Sequence, residues 1–139
     1  MADPSHAGRR YAAPGQVVDP DRARRMARVI AGEGEGEESD ASVPPTFAAV
    51  YCMAPTLAQL FTDSEVGINL AGLIHGEQRF EWDAEVQAGD VVDSEAVIDS
   101  VEERRGMTFL RVRLQATRPA DGATVCRGSS LMIVRGAPG

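Results

Sequence analysis

His75 is the residue whose type and setting most readily suggest chemistry. It stands in the strand-like run "GLIHGEQRFEW", residues 72–82. Strict alternation puts it with Glu77, Arg79 and Glu81, opposite Phe80 and Trp82. An imidazole or a carboxylate in a cleft can act as a general base, so His75 and Glu77 are both candidates. The alternatives for His75 are a polar residue on the outer or interface face of a sheet, or a contact to substrate. Gly76 can introduce a bulge that re-aims the side chain. The other histidine, His6, lies near the amino terminus. Chemistry that needs an imidazole therefore rests on His75 or on another polypeptide.

Two cysteines, Cys52 and Cys126, lie in apolar or strand-like contexts without CxxC spacing. That pattern predicts neither a disulfide framework nor a zinc site. Cys52 has no histidine or lysine near it in sequence to activate it, so it reads as a small buried apolar group. All fourteen basic residues are arginine, and the formal net charge is −7. An acidic chain lacks the basic face of a nucleic-acid binder, so that class of partner is not expected. The first residues, "MADPSHAGRRY", lack the apolar stretch of a signal peptide, and a cytoplasmic location is the expectation. Residues 41–62 carry no charge, but Pro44, Pro45, Pro55 and Gln59 interrupt them. A buried helix is expected there rather than a membrane span.

The elements that must position these residues follow from periodicity. At 139 residues the chain is most simply one domain, 1–139. Asp19 can cap a first helix, Pro20 suits its first turn, and Ala23, Met26, Ala27 and Ile30 share one face. Gly32 supplies a stop, and Arg22, Arg24, Arg25 and Arg28 cover the remaining surface. Residues 33–43 hold five acids among glycines and read as a mobile acidic loop. A second helix begins near Thr46, is kinked or divided by Pro55, and has no charge on any face. It must be covered nearly all round. Beyond Asp63 the period changes to two. Residues 76–83, 91–101, 107–118 and the run after Asp121-Gly122 read as about four antiparallel strands. Leu110, Val112, Leu114 and Ala116 face one side, and Arg111, Arg113, Gln115 and Thr117 the other. Gly89-Asp90 and Arg105-Gly106 mark turns. The predicted class is α+β, a hot-dog arrangement in which an antiparallel sheet wraps a central helix.

"PPTFAAVYC" in the second helix, "HGEQRFEWDAEVQAGD" in the following strand and the late "LMIVRG" resemble the MaoC-like hot-dog family. The likeness is to the accessory, N-terminal-type units of (3R)-hydroxyacyl-thioester dehydratases and enoyl hydratases. The resemblance implies acyl-thioester chemistry without a cofactor. Active members hold an aspartate and a histidine five residues apart, between the first helix and the central one. One group handles water and the other the proton at the α-carbon. Backbone N–H groups at the central helix start usually meet the thioester oxygen.

This chain departs at that place. "GEGEGEESDASVPPTF" contains no histidine, and Pro44 and Pro45 remove two donors, leaving those of Thr46 and Phe47. The expected role is a non-catalytic, acyl-chain-binding subunit. Its partner would be a MaoC-like catalytic hot-dog subunit bearing the Asp-x4-His dyad, and its substrate an acyl-ACP or acyl-CoA. A homodimer is the fallback. The substrate-binding candidates are Thr46, Phe47, Val50, Tyr51 and His75. For the first four, the alternative is core packing. Arg9, Arg10 or the first-helix arginines are the candidates for docking an acidic carrier. Two rival readings are a self-sufficient hydratase or thioesterase using His75, and a non-enzymatic acyl-binding or scaffold homo-oligomer.

Overall fold

Four stretches of alternating side chains become long strands of one sheet, and a fifth strand closes its far side. The computed structural model describes residues 1–32 and 43–136. The acidic stretch, apart from Val43, lies outside the described residues. The strands are β1 (Arg10–Val17), β2 (Leu73–Trp82), β3 (Val91–Arg104), β4 (Met107–Arg118) and β5 (Ala123–Arg135). All neighbours are antiparallel, in the order β1-β3-β4-β5-β2. The sequence pattern missed β1. Pro14 and Gly15 interrupt its alternation, and the register with β3 shifts between Ala13 and Gln16. Tyr11 and Ala13 are nevertheless buried.

The strand β4 keeps the alternation expected of it. Leu110, Val112, Leu114 and Ala116 are buried, and Arg111, Arg113 and Gln115 are exposed. The turn to β3 is Arg105-Gly106, with φ of 54° and 77°. The turn to β5 places Gly122 at φ 73°, where a Cβ is disfavoured.

The first helix, α1 (Pro20–Ala31), starts as the sequence implies. Asp19 accepts from the Asp21 and Arg22 N–H groups, and Pro20 fills the first turn. Its predicted apolar face is only partly used. Ala23 is buried and Met26 half-buried, but Ile30 is 62% exposed because the helix runs beyond the edge of the core.

The central helix is built in three pieces. A 3₁₀ turn at Pro45–Phe47 leads into a π-helical turn at Ala49–Met53, then α2 (Ala54–Phe61). Pro55 therefore divides the helix, as predicted, at the change from π to α spacing. Proline has no N–H to offer an earlier carbonyl. The Tyr51 carbonyl instead accepts the buried Ser94 hydroxyl of β3 at 2.7 Å. Contrary to expectation the helix is not covered all round: Ala54, Ala58 and Gln59 face outward. These are its small and polar positions. Its apolar side packs on β1, β3 and β4. The core joins Phe47, Cys52, Leu57 and Leu60 to Ile98, Leu110, Val112 and Met132 of the sheet. β2 lies beyond this cover and has no buried residue.

Candidate functional site

The strand carrying His75 is bulged. His75 pairs with Met132 and Glu77 with Leu131, so Gly76 is the extra residue. The bulge reverses the facing of everything before it. Directly opposed residues on antiparallel strands share a face. Gln78, Phe80 and Trp82 pair with Ser130, Gly128 and Cys126, the inward row of β5. Met132 belongs to the same row and is fully buried. His75 therefore lies on the concave face with Gln78, Phe80 and Trp82. This corrects the strict alternation, which grouped it with Glu77, Arg79 and Glu81.

His75 is held by a short polar chain. The Gln78 Nε2 donates to the Arg79 carbonyl at 3.2 Å, which can only accept. Gln78 Oε1 is thereby turned to His75 Nε2, 3.0 Å away, and it also accepts the hydroxyl of the buried Ser130. His75 Nε2 must then be the donor, and in the neutral ring Nδ1 carries the lone pair. No carboxylate orients this ring among the described hydrogen bonds. Glu77 points to the opposite, convex face and cannot assist it.

Gly128 makes the inner side of β2 possible. A Cβ there would lie 2.5 Å from the Arg79 carbonyl oxygen and 2.9 Å from the Phe80 ring. The Phe80 ring crosses over this glycine and stands beside Trp82, with centroids 5.8 Å apart. The Trp82 indole N–H donates to the Pro45 carbonyl at 2.9 Å. One bond thus ties the end of β2 to the start of the central helix.

A cleft of about 670 Å³ opens at this junction. Val43, Pro44, Pro45, Tyr51, Trp82 and Val86 supply its apolar and aromatic lining, with residues 83–88 forming one wall. Asp83, next to Trp82 in sequence, is a carboxylate in this wall. Arg127 grips it through two bonds of 2.8 and 2.9 Å, which holds its carboxyl below the ordinary aspartate range. An ion-paired carboxylate of this kind is a poor proton donor at neutral pH.

Of the sequence candidates, Tyr51 lines this cleft. Phe47 is 1% exposed and belongs to the core, with its ring 6.3 Å from that of Tyr51. Val50 is half-buried and packs against the same core. Thr46 faces α1, its hydroxyl 3.6 Å from the Met26 sulfur. His75 lies further along the concave face, seven residues from Trp82. The Phe47 N–H, expected to be free at the helix start, is taken by the Pro44 carbonyl at 2.9 Å. Trp82, Pro44, Val86, Gln78 and Ser130 were not singled out beforehand. The signal for Trp82 was present: it is the chain's one tryptophan, and it ends the strand motif.

Neither cysteine is an available nucleophile. Both are fully buried, and an interaction with Cys126 together with burial pushes the Cys52 thiol up. Burial also pushes the Tyr51 phenol up. Arg9 is not free to dock a partner, because it bonds Asp63 at 2.7 Å and Glu65 at 2.9 Å. Arg10 pairs with Glu95 at 2.8 Å. Among the described residues, no group of three His, Cys, Asp or Glu side chains is gathered to hold a metal ion. Nor is any helix among them long and apolar enough to cross a membrane.

Comparison with known proteins bears on the family and the fold. The family described as the FAS1-like dehydratase domain region matches residues 37–127. The chain belongs to the MaoC-like hot-dog dehydratase family. A UPF0336 protein of Saccharopolyspora erythraea is 30% identical over 146 residues, spanning 96% of this chain and 92% of the relative. The MaoC-like fold is shared with the C-terminally truncated HadBC (3R)-hydroxyacyl-ACP dehydratase complex of Mycobacterium tuberculosis. That chain is 22% identical, with TM-score 0.74 over 92% of this chain and 96% of its own length. A structure known as a MaoC-like dehydratase has TM-score 0.76 and 20% identity, covering 96% of this chain but 43% of that one. The fold is therefore the predicted α+β hot-dog, with five strands rather than four.

Proposed function

We propose that this chain is the non-catalytic, acyl-binding subunit of a (3R)-hydroxyacyl-thioester dehydratase or enoyl-thioester hydratase. The observation that carries the reading is an apolar cleft beside the central helix in a chain that has no Asp-x4-His pair. Five residues before His6 and His75 stand Met1 and Leu70, so neither histidine can complete the dyad. In the hydration direction, water oxygen bonds to C3 of a trans-2-enoyl thioester and a proton is added at C2. A partner subunit with the dyad performs both transfers. This chain binds the acyl group between Pro44, Pro45, Tyr51, Trp82 and Val86, while Thr46, Phe47 and Val50 hold the helix start in place. His75 orients substrate from the concave face.

The partner adds its sheet to β2, the uncovered edge. Two facts support a paired assembly. A similar fold occurs in a complex of two hot-dog subunits, and this chain spans only 43% of a larger MaoC-like dehydratase. The rival, a self-sufficient hydratase or thioesterase using His75, gains from the ring's inward turn. It loses from the lack of a carboxylate to orient that ring, which hydrogen-bonds an amide instead.

The test is Trp82→Ala in the complex with a dyad-bearing partner. Loss of the wall should raise KM for enoyl thioesters by about tenfold or shift chain-length preference, with kcat changed much less. An unchanged KM across chain lengths would contradict the assignment of the cleft.

A further inference from the structure

The charge of this molecule is unevenly placed. In α1, Arg22, Arg24, Arg25 and Arg28 face one acid, Asp21, a net of +3 within a chain of −7. The remainder of the chain therefore carries −10. Arg24 is paired with Asp21 at 3.0 Å, whereas Arg25 and Arg28 belong to no ion pair among the described residues. Along α1 only Ala23 is buried. Arg25, Arg28 and Val29 lie on the side turned away from it, and Val29 is 80% exposed. The outer stripe of α1 is thus basic with an apolar centre. An acidic protein surface with an apolar side chain in its middle is complementary to such a stripe.

The position of α1 adds a second, independent argument. Met26 touches the Thr46 hydroxyl at 3.6 Å, and the adjacent Pro45 lines the acyl cleft. The Met26 side of α1 is therefore next to residues at the cleft. We propose that α1 is the docking helix for an acidic acyl carrier protein, so that the thioester arm enters the cleft past Thr46 and Pro45. This rests on the acyl-binding reading above and adds to it the nature of the carrier: a protein rather than coenzyme A. Attraction is local, since the rest of the chain repels an acidic partner. Glu33, Glu35, Glu37, Glu38 and Asp40 follow α1 in sequence, so their change to neutral amides should tighten docking.

The experiment uses the full chain, ¹⁵N-labelled, titrated with an acidic acyl carrier protein that bears a non-hydrolysable enoyl-thioester mimic. Amide shifts should concentrate on residues 20–31 and around Thr46. Arg25→Glu with Arg28→Glu should weaken binding at least tenfold while the circular dichroism stays unchanged. Arg111→Glu, on the convex face, should change it less than twofold. Raising salt from about 50 to 300 mM should weaken the wild-type complex steeply. Shifts elsewhere, or equal losses from the α1 and Arg111 reversals, would overturn the docking assignment. So would a coenzyme A ester that competes with the carrier and loses as much from the α1 reversal. The two proposals fail separately. If the complex with a dyad-bearing partner is inactive yet the carrier still docks on α1, the functional reading falls alone. If that complex is active regardless of charge on α1, the docking assignment falls alone.

Discussion

β1 and β2 both lie at an edge of the sheet, yet β1 buries Tyr11 and Ala13 while β2 buries nothing over ten residues. Edge strands tempt foreign chains to pair, and proteins blunt them with proline, bulges and cover. β1 has all three. Pro14 and Gly15 break its ladder, and the Gly15 N–H turns to Asp93 at 2.9 Å. Its start is pinned to the end of the central helix, where Asp63 accepts from both the Tyr11 hydroxyl and Arg9 at 2.7 Å. β2 is bulged at Gly76 but carries no proline, and its tie to the central helix is at its end, from Trp82 to Pro45. The contrast teaches that one edge is closed within the chain and the other is left open among the described residues. The candidate residues His75 and Trp82, with their neighbours Gln78 and Phe80, all sit on the second.

The largest expected effect is at the seam that holds β2 to its neighbour. Gly128→Ala places a Cβ against the Arg79 carbonyl and the Phe80 ring. Overpacking of this kind costs about 1–3 kcal/mol, and contact with backbone puts this site at the upper end. Urea unfolding should show the loss, and hydrogen exchange should show β2 amides opening before those of β1. Equal opening of both edges would break the distinction between them.

On the closed edge, Tyr11→Phe removes a hydrogen bond to a charged acceptor. About 1.5 kcal/mol should be lost in chemical unfolding, with exchange rising first in residues 10–13. Burial, and then the Asp63 carboxylate, push the Tyr11 phenol up to about 12, so this bond persists through ordinary alkaline buffers.

Acid sharpens the same contrast. The Tyr11 hydroxyl and then Arg9 hold the Asp63 carboxyl below the usual value. A carboxylate with a depressed folded pKa adds stability that is present above its unfolded pKa of about 3.9. That stability is lost as the pH falls through the lower folded value. An acid titration should therefore fray β1 below about pH 4. Asp63→Asn should remove that component while leaving the β2 profile unchanged.

The smallest effect is expected at the residue that first drew notice. His75 is exposed, so His75→Ala should change stability by no more than about 0.5 kcal/mol. In the assembled enzyme its loss should lower kcat less than tenfold, against the roughly 10²–10⁴-fold expected of a general base. A thousandfold fall, with assembly and substrate binding intact, would make His75 the base.

Legibility in the sequence followed how local each cause is. β4 was readable because both its faces obey one rule. Arg105-Gly106 and Asp121-Gly122 announced their turns through backbone chemistry that glycine permits. Asp19 and Pro20 announced α1. β1 was not readable, because the Pro14–Gly15 interruption that blunts the edge also destroys its period. The outward turn of Ile30 depends on where the core stops, which no helical wheel contains. The facing of His75 hung on one unpaired residue, Gly76, whose bulge becomes evident only from the register against β5. The cleft combined two distant segments, Pro44–Pro45 and Trp82–Ala88, so periodicity found its wall at Tyr51 and missed its other side.

The central claim is that this chain binds the acyl group and a neighbour performs the chemistry. It is tested most directly by steady-state hydration of an enoyl thioester with three samples at equal concentration: this chain, a dyad-bearing MaoC-like partner, and the two together. The account predicts negligible turnover by this chain alone and a rate of ordinary enzymatic size, about 1 s⁻¹ or more, for the mixture. It also predicts that changing the partner's aspartate or histidine abolishes that rate, whereas His75→Ala here does not. Turnover near 1 s⁻¹ by the isolated chain would contradict it.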